Sequence, residues 1–595
     1  MGTGPAMVLA GPGSGKTFVI VNRIQYLIEQ MQVKPEEILV ITFTKAAAVQ
    51  MRDRFLRRMN RNATGVTFGT FHAVFFRILQ ASYHFTASSI LKEEEQFSML
   101  SDLINKYLLS YDDEREMIRQ IAAEISVVKN ERVPLEHFYS GVCSDELFRK
   151  IFEEYERRIR EAGRLDFDDM MVYCYELFSQ RKDILEAWQK RFRYILIDEF
   201  QDINRLQYEI VQMLALPENH LFIVGDDDQS IYRFRGAKPE IMLGFASDYP
   251  DACVTVLEEN FRSTRAIVNA AQTVIRDNSK RYDKKIRCTG EQGAPVCVRK
   301  FRNQDTQARY MIEMIRRAAQ SGETLSAMAV LTRTNTGGRY IAEKLMEYQI
   351  PVILRDTVPS LYDHWIARDI FAYLRLGQGG RDRKDLLQIM NRPLRYLSRS
   401  CLDQAVISFD SLRAWYDDKP WMIDRIDQME EELLALKRMT PFAAINYIRH
   451  GIEYDRFLKE YARERKIKED ELFDILDELQ ESSRSYRTAA AWEAHIEEYR
   501  AALEEQRRKR DTDEDAVLLA TLHGSKGLEF DRVFLPDVNE DIIPHRKASL
   551  DTDVEEERRL LYVGMTRARK HLHISYVEER CGKEQLPSRF LHHLI

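Results

Sequence analysis

Ala6–Ala10 is a short apolar run that ends in a glycine-rich turn, the pattern of a buried strand. Beyond it, Ile20, Ile24, Leu27, Ile28 and Met31 recur at the spacing of a helix buried on one face. Ile38–Thr42 predicts a second strand, and the residues from about Thr44 a second helix. This β-α-β-α order predicts a parallel α/β sheet. From about Leu91 to Lys190, charged and apolar residues mix at helical spacing, which predicts an all-helical insertion. Strands resume at Tyr194–Asp198, Leu221–Gly225 and Cys253–Leu257. A second α/β set follows, with strands at Val296–Lys300, Ala327–Leu331 and Pro351–Leu354. Residues from about Leu361 to Lys509 read as helical, and strands return at Val517–Thr521, Arg532–Pro536 and His571–Tyr576.

The expected fold class is therefore α/β, with two parallel-sheet domains, each interrupted by a mainly α-helical insertion. The boundaries drawn from the pattern are 1–80 with 190–268 for the first sheet domain and 81–189 for its insertion. They are 269–360 with 510–595 for the second sheet domain and 361–509 for its insertion. The length of 595 residues exceeds what one core supports.

Composition changes this picture little. Hydrophobic residues make up 44% and charged residues 31%, ordinary for a helix-rich globular chain. The formal net charge of −7 gives no bulk signal for nucleic acid, although a local basic channel can sit in an acidic protein. Basic runs at Arg52–Arg61, Lys280–Arg287, Arg392–Arg399 and Arg507–Arg510 each read as solvated helix faces. The seven cysteines show no C-x-x-C spacing, which suits free thiols in a reducing cytoplasm. No signal-peptide pattern and no run of about 18 apolar residues occurs, so neither export nor membrane spanning is expected.

The chemistry begins at Ala10, Gly11, Pro12, Gly13, Ser14, Gly15, Lys16 and Thr17, a glycine-rich segment between a strand and a helix. Glycines let backbone N–H groups turn onto phosphates, and the helix N-terminus adds positive potential. Lys16 would reach the β- and γ-phosphates of ATP, and Thr17 would bind Mg²⁺. The strict pattern has glycine where Ala10 stands. A second buried strand, Tyr194–Ile197, ends in Asp198 and Glu199, at the sheet edge where α/β folds bind ligands. Asp198 would hold the metal and Glu199 would act as general base on the attacking water. A third strand ends in Asp226, Asp227 and Asp228, a costly arrangement unless a metal or cation is near. Tyr232, Phe234 and Arg235 follow, an aromatic and basic mix that fits base stacking and phosphate contact on single strands, although taken alone the segment reads rather as a solvated loop with two core aromatics.

Together these segments resemble the UvrD/Rep/PcrA helicases of superfamily 1. Asp198–Asp202 and the Gln229 segment look like motifs II and III of that group. Ile41–Ala48 resembles motif Ia, Phe68–His72 motif Ib, and Leu165–Asp169 the signature of the first insertion. Leu257–Ser263 is similar to motif IV, Val330–Asn335 to IVa, Thr521–Phe530 to V and Glu555–Ala568 to VI. The resemblance covers residues 6 to about 592. It implies two RecA-like P-loop domains and a DNA-stimulated ATPase that moves 3′ to 5′ on single-stranded DNA. It further implies opening of single-strand/duplex junctions, in repair or recombination. It makes Gln229, Arg262 and Arg567 γ-phosphate sensors, Phe261 the aromatic on adenine and Glu529 the ribose contact. It puts Phe43, Thr70, His72, Tyr232, Phe234, Arg235, Asn335 and His523 on single-stranded DNA.

Three departures shape expectations. The leader glutamine that reads adenine in the group has no counterpart before Ala6, and Phe18 stands where the group has an arginine. Either the start is truncated or base recognition is expected to shift towards stacking by Phe18 and Phe261. In the second insertion Arg395-Tyr-Leu-Ser398 replaces a glycine-containing turn that grips duplex backbone, which leaves backbone N–H groups less free to approach phosphates. Two other readings use the same residues: an ATP-gated DNA-binding module, and the motor subunit of a complex with a nuclease or repair-protein partner. The motif Ia form Thr44-Lys-Ala-Ala-Ala leans towards the latter, and no nuclease segment follows the last core strand.

Overall fold

A computed structural model describes residues 3–107, 114–356, 360–402, 404–465, 468–508 and 515–595, without the side chains of Arg235 and 505–508. The first sheet contains β1 (Ala6–Ala10), β2 (Ile38–Thr42), β3 (Thr67–Thr70), β4 (Tyr194–Ile197), β5 (Leu221–Gly225) and β6 (Cys253–Leu257). Its order is β3-β2-β4-β5-β1-β6, parallel throughout. A short parallel ribbon, β7 (Glu259–Asn260) with β8 (Arg287–Cys288), follows. The second sheet contains β9 (Cys297–Phe301), β10 (Met328–Thr332), β11 (Val352–Leu354), β12 (Val517–Thr521), β13 (Phe530–Leu535) and β14 (Ala568–Val577). Its order is β11-β12-β10-β13-β14-β9, again parallel throughout.

The α/β class and the two parallel sheets are those the hydrophobic pattern predicts. Within the two six-stranded sheets, β3 is the strand that the pattern does not reveal. Thr-Phe-Gly-Thr offers no apolar run, because an edge strand has only one neighbour and buries less.

Each sheet is buried on both faces, with residues alternating between them at period two. In β1, Ala6, Val8 and Ala10 pack with Ile20, Ile24 and Leu27 of the helix Lys16–Glu29. Met7 and Leu9 point the other way, towards Phe75 and Ile78 of the helix Phe71–Ser82. In the second sheet Val330 and Leu519 face the core shared with the helices of the region from Trp365 to Arg508. Ala329, Leu331, Ala520 and Leu522 face the opposite core. The helices Glu93–Tyr107, Glu114–Glu131 and Asp145–Glu161 build a core of their own around Leu100, Ile121 and Tyr155. The helices Phe167–Gln180 and Lys182–Arg191, by contrast, bury their apolar faces with the first sheet.

One buried ion cluster ties that helical layer together. Lys129 Nζ lies 2.6 Å from Glu156, 2.7 Å from Asp166 and 2.7 Å from Asp169. Burial disfavours the ammonium, but the carboxylates outweigh it and raise its pKa well above the usual value. The three acids come from two other helical segments, so one ammonium balances charges that would otherwise repel at close range. Lys129→Met should therefore destabilise the fold by about 3–5 kcal/mol, because breaking a buried pair leaves uncompensated charge. Denaturant unfolding checks this, and a loss below about 1 kcal/mol would mean that Lys129 does not hold these acids.

Candidate active site and nucleic-acid interface

Between β1 and the helix at Lys16, the chain turns through Gly13 at φ +68° and Gly15 at φ +88°, a region that favours glycine. At Gly13 a Cβ would meet Arg262 Cβ at 2.5 Å, so space forbids a side chain as well. Ser14 Oγ donates to Gly11 O at 2.7 Å and closes the turn. The helix begins without a side-chain cap, so its first N–H groups remain open to an anion. The loop is held from outside. Asn260 Nδ2 donates to Pro12 O at 2.6 Å, and Phe261 N donates to Gly13 O at 3.0 Å. Asn260 sits mid-motif and received no role from the sequence. Its buried amide clamping the loop appears only in three dimensions.

The loop opens on a cleft of about 920 Å³ lined by Lys16, Thr17, Asp198, Glu199, Gln229 and Arg567 among others. Asp198 follows β4 and is buried. Burial, reinforced by the charge of Glu199, pushes its carboxyl up to about 7. Glu199 behaves oppositely. Burial would raise it, but the Lys16 and Lys526 charges outweigh burial and hold it below the usual range. Two adjacent acids thus differ in proton affinity, the arrangement that separates acid and base roles. Glu199 also sits at φ +52°, the left-handed region that residues with a side chain adopt rarely, and Gln201 Nε2 donates to its Oε2 at 2.5 Å. Asp202, also buried, is pushed up to about 6 by burial while Lys526 Nζ donates to it.

The opposite wall carries guanidinium groups. Arg567 is 2% exposed and donates through Nη2 to Gln229 Oε1 at 3.2 Å. Burial, and then the nearby Arg262 charge, lower its pKa to about 9. An anion between the two arginines would relieve that repulsion. Arg262 Nε lies 2.6 Å from Glu529 Oε2, and Arg569 pairs with the same carboxylate. Glu529, expected at the ribose, is thus tied to two arginines at the cleft rim. Phe18 and Phe261 line the same cleft, 60% and 66% exposed, and Arg58 Cζ lies 5.1 Å from the Phe18 ring.

Protein cations offset the cost of three successive acids. Lys284 Nζ lies 2.6 Å from Asp226, 2.5 Å from Asp227 and 2.9 Å from Asp228. Arg281 donates to Asp228 at 2.9 and 2.7 Å. The sequence reading of Lys280–Arg287 as a solvated face is therefore corrected at these two residues. Lys284 is buried because acids at the end of β5 draw it in. Arg395, in another run read as solvated, is likewise buried, with Nη2 2.8 Å from Glu432. The Arg507–Arg510 run and the Arg235 side chain lie outside the described residues.

Beside the cleft runs an aromatic series. Phe43 stacks on Tyr232 at 5.1 Å and 11°. Phe234 lies 6.0 Å from Tyr232 and meets His523 edge-on at 5.2 Å. Lys526 Nζ lies 5.0 Å from the Tyr232 ring centroid and also donates to Gln229 O at 2.9 Å. Phe43 and Thr70 sit at the C-terminal ends of adjacent strands β2 and β3, where Thr70 Oγ1 caps the next helix through Ala73 N. His72 meets Phe167 edge-on at 5.6 Å, and Phe167 is exposed. Asn335 and His523 follow the paired strands β10 and β12, and Asn335 Oδ1 is buried without a protein partner. The turn expected to differ in the second helical region keeps a glycine-like backbone. Tyr396 has φ +59°, and its exposed ring lies 5.0 Å from Arg425 Cζ.

The UvrD/REP helicase N-terminal domain model matches residues 1–250, and the UvrD-like helicase C-terminal domain model matches 255–415 and 417–579. The putative ATP-dependent DNA helicase YjcD of Bacillus subtilis (strain 168) is 37% identical over 100% of this chain and 79% of its own length. ATP-dependent DNA helicase PcrA of the same organism is 32% identical over 97% of the chain and 81% of its own length. DNA helicase II of Escherichia coli (strain K12) is 32% identical over 98% of the chain and 84% of its own length. With both models and full-length relatives matching across the cleft and the aromatic series, the chain belongs to the UvrD/REP family of DNA helicases.

Proposed function

We propose that this enzyme couples ATP hydrolysis to 3′-to-5′ movement on single-stranded DNA and to strand separation at single-strand/duplex junctions. One observation carries the reading. Lys526 bonds Asp202 and Gln229 in the phosphate cleft while its ammonium lies against Tyr232 in the aromatic series. Cleft and track therefore share a residue, and a change in one has a short path to the other. The direction of travel and a role in repair or recombination rest on family resemblance. The division into two RecA-like motor domains with helical insertions belongs to the same proposal.

In this mechanism the loop N–H groups and Lys16 hold the ATP phosphates, and Phe18 and Phe261 offer faces for the base. The Thr17 hydroxyl and Asp198 carboxylate are hard oxygen donors at the cleft floor that suit Mg²⁺, which would withdraw charge from the phosphates. Glu199, held ionised, accepts a proton from the water that attacks the γ-phosphorus as the bond to the β-phosphate oxygen breaks. Arg262, Arg567 and Gln229 meet the charge that develops. On the track, bases stack on Phe43, Tyr232 and Phe234, with His523 at its edge, while Thr70, His72 and Asn335 contact the strand further along.

Three measurements test this reading. Single-stranded DNA should stimulate ATP turnover, and Glu199→Gln should bind ATP yet lose about 10²–10⁴-fold in kcat, the usual value of a general base. Unchanged turnover would move the base elsewhere. A duplex with a 3′ tail should be opened and one with a 5′ tail left intact. Binding without turnover would instead favour a nucleotide-gated module.

Because the Phe234 ring is 62% exposed, Phe234→Ala should keep its melting temperature and basal ATPase. It should lose about 1–3 kcal/mol of single-strand affinity and most translocation. A large drop in melting temperature would make Phe234 a packing residue.

Affinity for MgATP should fall as pH drops through about 7, where Asp198 takes up a proton. The sign follows because a proton competes with the cation for the carboxylate. A calorimetric titration with the same affinity on both sides of that pH would remove Asp198 from the metal site.

A further inference from the structure

The segment 278–284 follows the helix Arg265–Ile275 and bridges the helix Asp551–Met565 and the turn after β5. Its first half grips the helix Asp551–Met565, which leads directly to Arg567. Asn278 Nδ2 donates to Glu555 O at 3.0 Å, and Ser279 N and Oγ donate to Glu555 Oε1 at 2.7 Å. Arg559 Nη2 donates to Lys280 O at 3.0 Å, and Arg558 Nη1 to Asn278 Oδ1 at 2.5 Å. Its second half grips the turn after β5. There Arg281 pairs with Asp228, Tyr282 N donates to Asp227 Oδ2 at 2.8 Å, and Lys284 inserts among all three acids.

The Lys284 contact continues into the cleft. Lys284 Nζ fixes Asp226 Oδ1, and Asp226 Oδ2 accepts from Gln229 Nε2 at 2.6 Å. The other end of that amide, Oε1, accepts from Arg567 Nη2 at 3.2 Å. An ionised carboxylate can only accept hydrogen bonds, so it admits the amide nitrogen and repels the amide oxygen. Rotating the Gln229 amide by half a turn would face oxygen with carboxylate and nitrogen with guanidinium, leaving two buried mismatches.

We propose that Asp226, held by Lys284, is a positioning residue that orients the Gln229 amide so that its oxygen engages Arg567 across the cleft. This inference rests on the ATPase reading above. It assigns the 278–284 segment a task in catalysis: it aligns the sensor on the first sheet with the arginine on the second. Lys284 and Asp226 touch no substrate in this scheme and act only through Gln229.

Lys284→Met removes the ammonium from three buried acids and can fail to fold, so the decisive variant is Asp226→Asn. It keeps the side chain's shape and leaves Lys284 paired with Asp227 and Asp228. An asparagine can donate as well as accept, so it no longer dictates which end of Gln229 faces Arg567. We expect its melting temperature and its affinity for a fluorescent ATP analogue to match the parent, while DNA-stimulated kcat falls about tenfold or more at unchanged KM. In a Gln229→Ala background the same substitution should lower kcat no further, because the amide it orients is gone. Equal losses in both backgrounds, a parental kcat in the single variant, or a loss that follows melting temperature would overturn the assignment. A parent chain that hydrolyses no ATP with single-stranded DNA would overturn the nucleotide reading, and this one with it. A parent that hydrolyses ATP beside an Asp226→Asn variant with undiminished turnover would overturn this one alone.

Discussion

The cleft depends on balancing clustered carboxylates with nearby cations. Asp198, Glu199, Asp202, Asp226, Asp227 and Asp228 gather at the C-terminal ends of β4 and β5. Parallel sheets create this convergence, because every strand ends on the same side. Without nearby cations the like charges would force protons onto the acids and blunt the site. Lys526 answers for Asp202 from the far sheet, and Lys284 and Arg281 answer for the triad from the segment between the sheets. Lys16, at the start of the helix after β1, supplies one compensating charge, whereas Lys526, Lys284 and Arg281 come from outside the first sheet, so part of the charge balance spans the two sheets.

That same arrangement brings the cleft and the aromatic series into contact. Gln229 and Tyr232 lie three residues apart on one turn, and Lys526 touches both. On the arginine wall, Arg567 is buried beside Arg262, and an anion between them would relieve their repulsion.

The helical regions use a different economy. Around Leu100, Ile121 and Tyr155 a small independent core suffices, and Lys129 fixes its junction with the helix Phe167–Gln180. The second helical region shares one continuous core with a face of the second sheet, so its helices are coupled to that sheet by packing. At its exposed turn, Tyr396 holds a backbone conformation that glycine adopts freely, which presents an aromatic ring where a bare backbone would otherwise stand.

Local pattern determined much of this protein. The strands β1, β2, β4 and β5 are apolar runs because both faces of a parallel sheet are buried, and such runs stand out in any sequence. The glycine-rich loop after β1 and the acids after β4 were legible as neighbours of one cleft because each is a contiguous segment at a strand end. The edge strand β3 was not, since partial burial leaves no apolar run. Nor were the partners of the acids. Lys284 and Lys526 look like any solvated lysine in sequence, and Asn260 like any loop amide. Their roles arise from pairings across tens to hundreds of positions, Asn260 on Pro12 and Lys526 on Asp202 among them. Sequence determined which elements form and which acids face the cleft; only the tertiary structure decided which cations neutralise them, because electrostatic attraction acts through space and leaves no periodicity along the chain.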